Sequence, residues 1–235
     1  MSDIEGPDHG GEGRFPLRLA FSAELDQLRL QVEVMAVRVD QNLERMRTVL
    51  HDGDLHAAQQ AVNADDDIDA MSVSLTNRCY DLLAREQPVA SDLRLIVSVL
   101  RVLGEFERVG DLALRVVKLA PERDLIAANP VTYDLLLAMS DSAIDRYRTA
   151  MRAWAALDAP LAAALVQEPS IVGLQDERLM AEVISLDGPN AARIAVRTLV
   201  VGKSLDRIAD HAAIIAVRLL YLVTGDSGHL AHEVR

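Results

Sequence analysis

The sequence predicts an all-α chain built as two tandem antiparallel three-helix bundles, and three observations predict it. Hydrophobic residues make up 50% of the 235 but aromatics only 3%. Ala, Leu and Val therefore supply the apolar bulk, a balance suited to close-packed helices rather than sheets. Six segments carry apolar residues at steps of three and four, the period of an amphipathic helix. The chain also repeats one acidic pattern: Glu107-Arg108-Val109-Gly110-Asp111 and Asp206-Arg207-Ile208-Ala209-Asp210 lie 99 residues apart. The same offset pairs Arg94 with Arg193, Leu100 with Leu199 and Val116 with Ile215, which marks a duplicated unit, one bundle per copy.

The elements follow in order. Residues 1–16 are Gly-rich and acidic and read as an unstructured tail. The first bundle spans 17–120. Its first helix covers about 19–50, with Leu25, Leu28, Val32, Met35, Val39, Met46 and Val49 forming the seam and Asn42 a polar register-setting position within it. His51-Asp52-Gly53-Asp54 ends that helix, and the second covers about 55–85, stopping before Gln87-Pro88. Ser91 is the expected N-cap of the third, at about 92–120. Pro121 and Asn129-Pro130 bracket a linker, 121–130, and the second bundle spans 131–225. Its helices cover about 131–157, 160–186 (opened by Asp158-Ala159-Pro160 and broken or kinked at Pro169) and 190–224, stopped by Gly225. Residues 226–235 lack apolar periodicity and read as a second tail.

Composition excludes several classes of function. With 24 basic against 36 acidic residues the net charge is −12, the wrong sign for a nucleic-acid partner. Every apolar stretch is interrupted by charge before reaching the length of a membrane span. The N-terminal residues lack the basic and apolar regions of a signal peptide, and the single Cys79 has no intrachain disulfide partner, so a cytoplasmic location is expected. Cys79 itself reads as a core residue. No HExxH, CxxC, phosphate-loop glycine pattern or Glu-x-x-His spacing of the di-iron carboxylate bundles occurs, and nothing resembles a nucleophile with its base, so no enzymatic activity is expected.

The helical phase assigns Arg94, Ser98, Arg101, Glu105, Arg108 and Arg115 to one polar stripe, and Arg193, Arg197, Ser204, Arg207, His211 and Arg218 to its counterpart, both facing water. Glu107, Asp111, Asp206 and Asp210 then turn toward apolar faces. Asp65 of the second helix, four residues before Asp69, does likewise, in phase with Ile68, Leu75 and Leu82. A carboxylate turned inward is costly unless it is paired, hydrogen-bonded or metal-bound. Four oxygen donors, Asp65, Asp69, Glu107 and Asp111, suit a hard or borderline cation such as iron, manganese, zinc or magnesium. Intrahelical ion pairs, Asp111 with Arg115 among them, are the competing expectation. Asp206 and Asp210 make a second, weaker metal candidate. Glu168 is the only acid at the place of Asp65, and Lys203, three residues before Asp206, acts as a counterion.

Taken together, Gln87-Pro88-Val89-Ala90-Ser91-Asp92-Leu93-Arg94, the Glu107–Asp111 motif and Asp206-Arg207-Ile208-Ala209-Asp210-His211 resemble the PhoU family, with the likeness running from about 19 to 225. The resemblance implies a homodimeric, metal-associated regulator that restrains the phosphate-starvation response. It implies contact with two partners, the ATPase subunit of the phosphate ABC transporter and a sensor histidine kinase. Arg94, Arg101, Arg108, Arg193 and Arg207 are the expected partner-binding residues.

Overall fold

A computed structural model describes residues 14–85, 88 and 90–233, and their regular structure is entirely helical. The first bundle comprises α1 (Arg14–Asp52), α2 (Leu55–Arg85) and α3 (Ala90–Val117). A 3-10 turn (Ala120–Glu122) and the single turn α4 (Arg123–Ile126) occupy the expected linker. The second bundle comprises α5 (Pro130–Ala156), α6 (Ala159–Gln167), α7 (Ile171–Ile184) and α8 (Ala191–Thr224). Most of the expected first tail, and Gln87 and Val89 of the expected turn, lie outside the described residues. The expected second tail instead forms a 3-10 helix, Ser227–Glu233, packed on α8.

Local chemistry explains the boundaries. All seven apolar seam residues of α1 are buried, with Asn42 among them donating nothing and accepting a long 3.5 Å bond from Arg45. Gly53 takes φ +71, and a Cβ there would stand 3.0 Å from the Arg123 side chain, whose guanidinium donates to the His51 carbonyl at 2.7 Å. Asp54 accepts from the backbone N–H of His56 and Ala57 at the start of α2. The third helix starts at Ala90, one residue before its expected cap Ser91. Asn129 and Asp158 cap α5 and α6 through Thr132 N and Leu161 N. Pro169 divides the expected fifth helix into α6 and α7, Ser170 capping the latter.

The halves share one continuous core. α1 lies along α5, where the buried Tyr147 hydroxyl donates to the Ala36 carbonyl at 3.0 Å and Arg148 bridges Asp40 and Glu44 at 2.7 and 2.6 Å. α3 lies along α8 in antiparallel register. Arg94 reaches the Leu222 carbonyl near one end of the seam, Glu105 meets His211 in its middle, and Arg108 to Arg115 face Lys203 to His211 at the other end. The repeat offset exchanges the two helices, so the seam is a pseudo-two-fold axis within one chain.

For part of each polar stripe this packing overturns the expectation that it faces water, while Arg101, Arg108, Arg115, Arg193 and Arg207 remain exposed. Ser98 and Glu105 on α3, and Ser204, His211 and Arg218 on α8, are buried. In an isolated bundle each stripe would be an outer face, but here each half covers the outer face of the other. The same crowding reverses the expectation for three acids. α1, α2 and α8 occupy the covered sides of α3, leaving Glu107 and Asp111 on its open side, and Asp210 is likewise exposed.

Candidate functional site

Acidic side chains gather at two places. On the first bundle, Asp65 is half-buried on α2 against α3, so close that a Cβ at Gly110 would stand 3.4 Å from its Oδ1. Burial pushes the Asp65 carboxyl up to about 6, with Asp69 and Asp111 adding repulsion and Lys118 opposing it. Two of the carboxylates expected to converge, Asp69 and Asp111, thus act on Asp65, both from exposed positions, while Glu107 is exposed and apart. Among the described residues no three Asp, Glu, His or Cys side chains are arranged to hold a metal ion. The donor chemistry of Asp65, Asp69 and Asp111 suits a hard cation; their arrangement in the folded chain is open rather than closed.

The raised carboxyl has a consequence for stability. A folded-state pKa above the ordinary 3.8 favours the fold where Asp65 is protonated, and that contribution is lost as the pH rises through about 6. Asp65→Asn is therefore expected to raise Tm at neutral pH and to leave it nearly unchanged at pH 4. Asp65 is partly exposed, so after allowance for screening the gain is on the order of 1 kcal/mol, or roughly 2–4 °C. Thermal melts of both proteins at the two pH values read it, and an equal change at both would contradict the assignment.

The second bundle neutralises its acids internally. Lys203 donates to the buried Asp176 at 2.5 Å and lies 3.6 Å from Asp206. Burial raises the Asp206 carboxyl, with Asp210 and Asp176 adding to the rise and Lys203 opposing it. Arg146 donates to the carbonyls of Leu165 and Ala209, and burial lowers its pKa against the pull of Asp210 and Glu168. Lys203 is thus a counterion, as its spacing implied, but its principal partner is Asp176, which the sequence reading missed. Glu168, expected at the place of Asp65, is exposed at the end of α6. The signal available was Val172, Asp176, Leu179 and Val183, which step by three and four on the buried face of α7.

The seam carries a third group that sequence reasoning placed in water. His211 Nδ1 and Glu105 Oε2 lie 2.6 Å apart, both side chains buried. The repeat counterparts of Glu105 and His211 are Ser204 and Leu112, so this pair occurs once and breaks the pseudo-symmetry. The five arginines expected to bind partners do not form a continuous stripe. Arg94 sits against the end of α8, Arg193 lies 3.9 Å from Glu122, beside Arg197 at 2.8 Å, and Arg101 is exposed on α3. Arg108 and Arg207 alone are brought together, in an open cleft between α3 and α8 lined also by Asp111, Leu112, Arg115, Lys203 and His211. Cys79 is buried, its thiol pushed up to about 12 by desolvation, so it is an inert core residue. No described helix is long and apolar enough to cross a membrane.

Residues 32–120 match the profile of the PhoU domain. The phosphate-specific transport system accessory protein PhoU homolog of Pseudomonas aeruginosa is 31% identical over 207 residues, 87% of this chain and 86% of that one. The accessory protein PhoU of Escherichia coli is 27% identical over the same shares of the two chains. The crystal structure of PhoU from Pseudomonas aeruginosa superimposes with a TM-score of 0.82, covering 88% of this chain and all of that one at 31% identity.

Proposed function

Because the chain belongs to the PhoU family, we propose that it is a non-enzymatic regulator that restrains phosphate uptake and the phosphate-starvation response. The observation that carries this reading is the match to a phosphate-specific transport accessory protein over nearly the full length of both chains.

In this reading the protein acts from the cytoplasm as a homodimer. It contacts the ATPase subunit of the phosphate ABC transporter and a sensor histidine kinase. An exposed apolar row on α1, Leu30, Val34 and Val37, supports association with another surface. Repression is differential binding: a preference of a few kcal/mol for one kinase conformation is enough to shift a two-state population strongly. Deleting the gene is expected to switch on phosphate-starvation genes in phosphate-replete medium, read by a reporter fusion. Normal repression in the deletion strain, with no second copy of the protein to substitute, would overturn the assignment.

A second reading is favoured by the mutual repulsion of Asp65, Asp69 and Asp111, which a divalent or trivalent cation would relieve. Those three side chains would supply its oxygen ligands, with Glu107 able to join only by swinging in from its exposed position. In the second bundle Lys203 and Arg146 already supply the positive charge beside Asp206 and Asp210. Elemental analysis of purified wild-type and Asp65→Asn protein tests this reading, and equal metal content in the two would exclude it.

A further inference from the structure

We propose that the cleft between α3 and α8 binds a condensed phosphate, an anion of the di- or triphosphate class, gripped at the pseudo-two-fold axis by Arg108 and Arg207. These two arginines occupy the same position of the two repeats, 99 residues apart, and the antiparallel register of the seam brings both to one cleft. In a protein of net charge −12, none of Arg108, Arg207 and the neighbouring Arg115 is ion-paired with a carboxylate among the described residues. Other arginines that cross between helices find partners within the fold, carboxylates for Arg148 and Arg197 and backbone carbonyls for Arg146.

The remaining lining fixes the kind of ligand. Lys203 is held in place by Asp176 and Asp206, and its three ammonium hydrogens leave it able to donate further. Glu105 engages Nδ1 of the buried His211, orienting the ring so that Nε2 is the nitrogen left for the cleft. Asp111 is the one carboxylate of the lining and Leu112 its one apolar side chain. Guanidinium groups match phosphate oxygens with paired hydrogen bonds. The cleft has a volume of about 440 Å³, more than a single orthophosphate fills, and it offers no aromatic ring on which a nucleobase would stack. A short linear chain of phosphates fits both facts. The inference concerns binding alone and stands or falls separately from the regulatory role.

Calorimetric titration of the full, chelator-treated protein tests it near neutral pH and physiological salt. The probes are tripolyphosphate, orthophosphate, sulfate and an oligoglutamate peptide at matched ionic strength. Tripolyphosphate is expected to saturate one site per chain and to bind at least about ten-fold more tightly than orthophosphate or sulfate. The double variant Arg108→Gln/Arg207→Gln is expected to weaken it by about ten-fold or more while its circular dichroism stays unchanged. Arg152→Gln, on the exposed side of α5, should leave binding intact. No saturable binding, binding undiminished in the double variant, or equal affinity for orthophosphate or sulfate would overturn the proposal. Tighter binding of oligoglutamate would overturn it in favour of an acidic polypeptide.

Discussion

His211→Ala is expected to destabilise the protein by about 3–5 kcal/mol, because it strands the Glu105 carboxylate in the seam with no compensating partner. At roughly 2–4 °C per kcal/mol for a chain of this size, the melting temperature should fall by about 6–20 °C. Glu105→Ala should cost a similar amount by stranding the imidazole. Replacing both with leucine removes both buried polar groups together, and that double variant should recover most of the loss. A double-mutant cycle followed by thermal melts measures the coupling. Additive single effects, or a single-variant loss below about 1 kcal/mol, would show that the pair does not hold the seam.

Tyr147→Ala is expected to be as damaging for a different reason. The ring is fully buried where α1, α3 and α5 meet, edge-on to Phe106 with centroids 6.3 Å apart, and its hydroxyl is bonded to the Ala36 carbonyl. Truncation to alanine leaves a cavity and an orphaned carbonyl, at a cost of about 3–5 kcal/mol. Tyr147→Phe removes only the hydroxyl and should cost about 1 kcal/mol. Burial raises the phenol well above its usual pKa, so the donor persists across the accessible range and the effect should not vary with pH. Urea unfolding followed by the fluorescence of the buried Trp154, in the same core, reads both variants. Near-equal losses would place the stabilisation in the hydrogen bond rather than the ring.

Much of this molecule was legible from periodicity. The seam of α1, the caps at Asn129 and Asp158, the break at Pro169 and the lean of Asp65 all follow from forces acting within a turn or two of one helix. The misplacements share a cause. Glu105 and His211 lie on stripes that an isolated bundle would expose, and the fact that decides their burial is the docking of one half on the other, which no single helix records. Ser98 and Ser204, small side chains among arginines, were the available hint. Asp176 was missed because α7 begins afresh at Ile171 beyond the break at Pro169, so its buried face does not continue the phase of α6, where Glu168 lies. Glu107 was misjudged because α3 has three covered sides, leaving an open face too narrow for a two-colour wheel to locate.

The order of synthesis gives the polar seam another meaning. α3 leaves the ribosome well before the α8 that covers it. The stretch from Val117 to Ala191 takes roughly 4–15 s at about 5–20 residues per second. Throughout that interval the first bundle presents a face that in the finished protein is interior. A face of leucine and isoleucine alone would invite association between neighbouring nascent chains. Ser98 and Glu105 keep it wettable until His211 arrives, so the pair that later holds the halves together first protects an unfinished one.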